Sequence, residues 1–359
     1  MNTSPAHKPM ERSVANHSGS LTLAPIADRL STAAKVRQSS PFRRTLGSVG
    51  LLLLTLLPGC ESKPESDPGL TFRELKADCD RLTVVRFDPQ GQRLAVGGAS
   101  GEMVVWKHLA DPPVVLRAKN RSPFVQLLWA PGDLLLAVQL THGLLGWQFG
   151  HSEPNRIDFS SLPPSVVCLA IRPQSKFAEM VLGMRDGSLV FVDSHGLQQL
   201  KPDHRGSVKQ VIYSLDGQTL ITAGADGQLI WRDATSHKIV QAEKPHDAEI
   251  SRLLLSADGK HLVSGDWNGR LTISEMATRV AMRKLDQPDA VSGLAWVGAE
   301  LVSGSWDGTL RGWDLTSGKC VRIHSTGAPI HDLTADSPSR RVATISLSRT
   351  VRVWDWPAP

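Results

Sequence analysis

The side chains that could do covalent or ligand chemistry are few, and most stand alone. Cys60 is the exception: it lies directly behind an uncharged apolar run, Thr45 to Leu57, in the order Leu57-Pro58-Gly59-Cys60. A thiol brought to a lipid surface by an apolar leader can form a thioether with a diacylglycerol, and the amine freed by cleavage can take a further acyl chain. Two or three chains hold a protein firmly where one does not. Cys79, Cys168 and Cys320 are widely separated and fit neither zinc spacing nor a dense disulfide framework. Cys168, inside Val166-Val167-Cys168-Leu169-Ala170-Ile171, reads as a small buried hydrophobe. An oxidising compartment would allow Cys79 and Cys320 to pair, but sequence does not place their Cβ atoms. The histidines form no HExxH and no close cluster with Asp or Cys, and GxSxG, GxxxxGK[ST], Rossmann glycines and CxxCH are all missing. The expectation is a non-enzyme without metal or cofactor.

What the chain does repeat is a turn. Gly101, Gly143, Gly187, Gly227, Gly269 and Gly308 each follow a short apolar segment and precede another, and Arg349 stands in the seventh such place. Successive spacings are 42, 44, 40, 42, 39 and 41 residues. A second strand pair precedes each landmark, as in Val84-Val85-Arg86-Phe87, the turn Asp88-Pro89-Gln90-Gly91, and Leu94-Ala95-Val96-Gly97. Each repeat therefore holds about four short strands, and because an isolated hairpin is marginal in water, each unit needs its neighbours.

A period near 40 with four strands and a Trp-Asp ending, Trp313-Asp314 and Trp354-Asp355, with Trp106 before Lys107, resembles the WD40 repeat family over residues 70–359. The resemblance implies an all-β, seven-bladed β-propeller. The last repeat ends with its third strand, so the ring would be closed by an N-terminal strand, Leu70 to Lys76, completing the last blade. It also implies a hydrogen-bonded pin of His, Asp, Ser/Thr and Trp within a blade. Blade 4 offers His204, Thr222 and Asp226 with Trp231 one place early; blade 5 offers His246, Ser264 and Asn268 with Ser274 in place of Trp; blade 6 offers Ser303, Asp307 and Trp313 without a His. Asp186, Asp226 and Asp307 precede turn glycines and read as structural, their carboxylates bonding nearby amides.

Function on such a ring falls to loops. The column just before each turn pair, where members of the family commonly bind peptides, reads Ala99, Thr141, Arg185, Ala225, Trp267, Trp306 and Leu347. Trp267, Trp306 and Leu347 would lie side by side with Arg185 across the ring. Exposed Trp and Arg are the types that anchor protein interfaces. The other reading is that both tryptophans fold over a neighbouring blade and fill a gap.

Residues 1–45 are a polar, unpatterned extension with a basic region, and 46–59 a hydrophobic segment. Residues 60–69 form a polar tether, and 70–359 the propeller. The segment ending at Cys60 resembles a bacterial lipoprotein signal peptide, which implies a lipid anchor on the extracytoplasmic side of a membrane, the outer membrane if the cell has one, with the cytoplasm as alternative. Residues 1–59 hold seven Lys/Arg against Glu11 and Asp28, and the rest carries 33 of each sign, so the net +5 belongs to the leader. The neutral body offers no electrostatic footprint for nucleic acid. The function expected is a monomeric scaffold binding a protein or peptide. Alternatives are an outer-membrane protein assembly factor, a cytoplasmic regulatory propeller and a propeller enzyme. Ala99, Thr141 and Ala225 at the mouth speak against the last.

Overall fold

The computed structural model describes residues 70–150, 154–159, 161–174 and 179–358. Among them are 28 strands in seven four-stranded antiparallel sheets. After β1 (Phe72–Lys76), blade 1 holds β2 (Leu82–Phe87), β3 (Leu94–Gly98), β4 (Glu102–Trp106) and β5 (Val114–Arg117). Blade 2 holds β6 (Phe124–Ala130), β7 (Leu134–Gln139), β8 (Gly143–Gln148) and β9 (Asn155–Asp158). Blade 3 holds β10 (Val166–Ile171), β11 (Met180–Met184), β12 (Leu189–Asp193) and β13 (Gly196–Gln199). Blade 4 holds β14 (Val208–Tyr213), β15 (Thr219–Gly224), β16 (Leu229–Asp233) and β17 (Ile239–Glu243). Blade 5 holds β18 (Ile250–Leu255), β19 (His261–Asp266), β20 (Arg270–Glu275) and β21 (Ala281–Asp286). Blade 6 holds β22 (Val291–Val297), β23 (Glu300–Ser305), β24 (Thr309–Asp314) and β25 (Lys319–Ser325), and blade 7 β26 (Asp332–Asp336), β27 (Arg341–Ile345) and β28 (Thr350–Asp355). The seventh sheet runs β1-β28-β27-β26, with Phe72 opposite Trp354 and Lys76 opposite Thr350.

The middle strands are apolar without alternation because both of their faces are covered. Leu94, Val96 and Val104 pack with Ala343, Ile345 and Val351 of blade 7, whereas Ala95, Met103 and Val105 pack with Phe124, Leu127 and Leu135 of blade 2. Alternate residues of one strand thus feed two different interfaces, and burying each large side chain contributes about 1.5–3 kcal/mol. The first strands touch one another in succession around the ring, β26 meeting β2. In six blades the first strand carries a β-bulge near its start, between Leu82 and Val84 in blade 1 and at the equivalent places in blades 2 to 6. β26 pairs with β27 without one.

The landmark glycines have positive φ; at Gly227, φ is +77° and a Cβ would lie 2.3 Å from the His246 carbonyl oxygen. Both the backbone and the adjoining loop therefore demand glycine. Arg349 is not among the positive-φ residues, so blade 7 turns differently.

The internal pins correct the sequence reading in blade 5, complete it in blade 6 and match it in blade 4. In blade 5, His246 reaches Ser264 Oγ at 2.7 Å and Asp266 Oδ2 at 2.8 Å, so the acid is Asp266 at the end of β19. Asn268 only donates its backbone N–H to that carboxylate. In blade 6, Gln287 stands where a histidine was sought: Trp313 Nε1 donates to Ser303 Oγ, which donates to Gln287 Oε1, both at 2.8 Å. In blade 4, His204 reaches Thr222 at 2.8 Å and Asp226 at 3.2 Å. Trp231 lies opposite Ile221 and so on the other face, and Arg232 takes the inward place, bonded to Asp203 and, at 2.9 Å, to the His237 carbonyl. Trp147 keeps the place that Trp313 holds, opposite Leu135, with Ala137 where Ser303 would be. Trp354 Nε1 donates to Thr344 Oγ1 at 2.8 Å, while Trp106 is buried opposite Leu94 with Val96 in place of a hydroxyl.

Cys79 and Cys168 are buried free thiols, and Cys79 and Cys320 are not bridged to each other. Burial pushes the Cys79 and Cys168 thiols up to about 12, which leaves them unreactive at neutral pH.

Candidate docking rim at the channel mouth

The turn between second and third strands meets the loop before the first strand at one end of each blade. Ala99 N–H donates to the Arg81 carbonyl at 2.8 Å, Trp267 to that of Glu249 at 3.2 Å, and Trp306 to that of Ala290 at 3.3 Å. These bonds hold the rim residues on rigid strand ends. Trp267 and Trp306, both half-buried, meet edge to face with centroids 4.9 Å apart and planes at 90°. Trp306 then leans on His331, centroids 5.4 Å apart. Trp267 Nε1 donates to Glu249 Oε1 at 2.9 Å, and Lys209 Nζ lies 2.5 Å from the same oxygen. Leu347 is 40% exposed. An aromatic arc therefore runs over blades 5, 6 and 7, with its polar edge fixed by Glu249.

The structure corrects two rim positions. Arg185 does not reach across the ring: its Nη2 donates to the Leu140 carbonyl at 2.8 Å, on the boundary of blades 2 and 3. The turn of blade 2 is as long as that of blade 1, but its glycine stands one residue later, so Leu140, whose N–H is bonded to the Pro123 carbonyl at 2.9 Å, takes the rim place assigned to Thr141. His331 went unread because it is a lone histidine. The signal for it was positional, since it directly precedes the first strand of the seventh repeat. Burial, opposed by Asp332 and aided by Arg252 and Arg81, pushes its imidazole down to about 4, so the ring is neutral at physiological pH.

The repeated acids hold backbone. Asp186 accepts from Ser188 N–H at 2.9 Å, Asp226 from Arg205 N–H at 2.7 Å, and Asp307 from Thr309 N–H at 2.9 Å and Arg311 Nη2 at 2.7 Å. Asp314 accepts from Thr316 N–H at 2.8 Å, and Asp355 from Thr71 Oγ1 at 2.9 Å. Among the described residues no three His, Cys, Asp or Glu come together in a way that could hold a metal ion. Cys60 lies outside the described residues. Below the rim the first strands enclose a cavity of about 620 Å³. The rim can grip an apolar side chain, and its turn acids are committed to their own loops.

The fold is that of a seven-bladed, WD40-like β-propeller. The family description "WD domain, G-beta repeat" matches residues 238–273 and 281–314, the outer strand of blade 4, blade 5 and the first three strands of blade 6. Actin-interacting protein 1 of Drosophila melanogaster is 26% identical over 164 residues, 43% of this chain and 26% of that protein, so the match spans about a quarter of the relative's length. The crystal structure of the Myceliophteria thermophila Cps50 (Swd1) β-propeller domain superposes with a TM-score of 0.67 at 16% identity, covering 79% of this chain and 98% of that one. At that identity the likeness concerns the fold alone.

Proposed function

We propose that this protein is a non-catalytic scaffold that docks a protein or an extended peptide segment on the rim formed by Trp267, Trp306, His331 and Leu347. The observation that carries the reading is the half-buried Trp267–Trp306 pair, held edge to face on strand ends. Large aromatics on a rigid support lose little entropy on binding and dominate interface energies. The Drosophila relative is named for interacting with another protein, and only that class of activity carries over, not its partner. The test is capture of binding partners from the source cell by the wild-type chain and by the double variant Trp267→Ala, Trp306→Ala. Loss of capture with an unchanged unfolding temperature supports docking; a drop of many degrees in that temperature would assign the pair to packing between blades 5 and 6.

The reading extends to two further features. β1, paired with β28 on the outside of the seventh sheet, serves as the clasp that completes the ring. Cys60 carries a lipid anchor that places the propeller on the extracytoplasmic face of a bacterial membrane, the outer membrane where there are two; the support is Leu57-Pro58-Gly59-Cys60 behind its apolar run.

A further inference from the structure

We infer that the upper lumen binds a carboxylate of the docked peptide, a reading that rests on the rim described above. Asp332, the first residue of β26, has a side chain only 2% exposed; its Oδ2 accepts from Arg86 Nη1 at 2.6 Å and Val85 N–H at 3.0 Å, and its Oδ1 from Arg252 Nη2 at 3.2 Å. The two arginine side chains keep 27% and 24% of their surface exposed, and both line the cavity. Two cations therefore share one covered carboxylate, and the lumen faces the cations. At the other end of the first strands, Asp88 and Asp336 line the same cavity but are paired with Arg93 at 2.9 Å and Arg341 at 2.5 Å.

The arrangement depends on a gap in the repeat. Arg252 belongs to blade 5 and Asp332 to blade 7, and the residue at that register in blade 6 is Gly293, where a Cβ would lie 2.5 Å from Leu333 Cγ. Gln210 holds the same register in blade 4, lines the cavity, and its side-chain amide has no hydrogen-bond partner among the described residues. Much of the remaining wall is aliphatic, including Leu127, Leu169, Val211 and Leu253. Excess positive charge between low-dielectric walls attracts an anion more strongly than the same charge on an open surface. Guanidinium geometry matches a carboxylate, and the free amide supplies a further donor. Arg252 Nη2 also donates to the His331 carbonyl at 3.3 Å, so the cations lie directly under the aromatic arc. Arg252 follows Glu249 by three residues, roughly 10 Å of extended chain. An extended peptide with an apolar side chain on the rim would bring an acid to the arginines two to three residues away.

The acid could be a side chain or a chain terminus, and calorimetric titration of the full-length protein with three acetylated tetrapeptides separates the two. The probes are acetyl-Leu-Gly-Gly-Glu amide, acetyl-Leu-Gly-Gly-Gly with a free carboxylate, and the neutral acetyl-Leu-Gly-Gly-Gln amide. One acidic probe should bind about tenfold tighter than the neutral one or better, as expected for a partly enclosed charge pair. That preference should fall to about twofold or less in Arg252→Gln and rise in Asp332→Asn, which removes the internal counter-charge without changing shape. If Arg252→Gln does not fold, Arg86→Gln serves instead. Equal, measurable binding of all three probes would remove this inference and leave the rim reading standing, and binding of none would remove both. A preference that survives both arginine substitutions would also overturn it.

Discussion

His331 joins the rim to the lumen: its ring touches Trp306 and its carbonyl accepts from Arg252. Its folded pKa of about 4 lies below the ordinary histidine value of 6.5, so the folded state resists a proton that the unfolded chain accepts. The sign follows: this residue leaves stability intact above pH 6.5 and reduces it as pH falls from there toward 4, with a slope of up to about one proton. Chemical unfolding measured from pH 8 to 5 should show His331→Phe, which keeps a flat ring, losing less stability on acidification than the wild type. Equal pH dependence would mean that His331 takes up its proton in the folded state. Residue identities inside the pins were only half legible in the sequence. His246 and Ser264 could be read, but Asn268 was preferred to Asp266 because the turn was counted from its glycine. In the fold the carboxylate reaches the imidazole from the strand end.

At the scale of elements, the strands and their count follow from the spacing of the turn glycines, because six of the seven blades place a left-handed glycine in that turn. Blade 7 has no such glycine and keeps its strands, which shows that packing between blades outweighs the turn. Side-chain direction was the harder part: Trp231 lies one residue off the place that Trp313 holds, and in a strand one residue means the opposite face. Arg185 illustrates the same limit, since sequence places its Cα on the rim and says nothing of where a long flexible side chain ends. The clasp reading makes a prediction here. Deleting Phe72 to Lys76 leaves the β28 edge unpaired and uncovers part of the packing around Val351 and Val353. Light scattering should then show concentration-dependent association, together with a lower unfolding temperature. A monomeric variant that unfolds at the wild-type temperature would rule the clasp out.

For the whole molecule, the neutral body and the basic residues 1–59 were legible in composition, whereas the asymmetric lumen was not. It arises from Arg86, Arg252, Gly293 and Asp332, which are far apart in sequence and meet only because the ring brings the first strands together. The anchor reading is tested by intact mass and membrane fractionation of the wild type and Cys60→Ser expressed in a bacterium. An acylated N-terminus at Cys60, lost together with membrane association in the variant, is the expected result; an unmodified soluble chain retaining the residues before Cys60 would overturn it. The sheet order β1-β28-β27-β26 has a mechanical consequence as well. The chain enters the propeller on the outermost strand of blade 7, three strand spacings or roughly 14 Å from the strand that borders the lumen. A cord continuing back from Leu70 is therefore fastened to the wheel at its tyre and not at its hub. Pull on that cord is borne first by the pairing of Phe72 to Lys76 with Trp354 to Thr350.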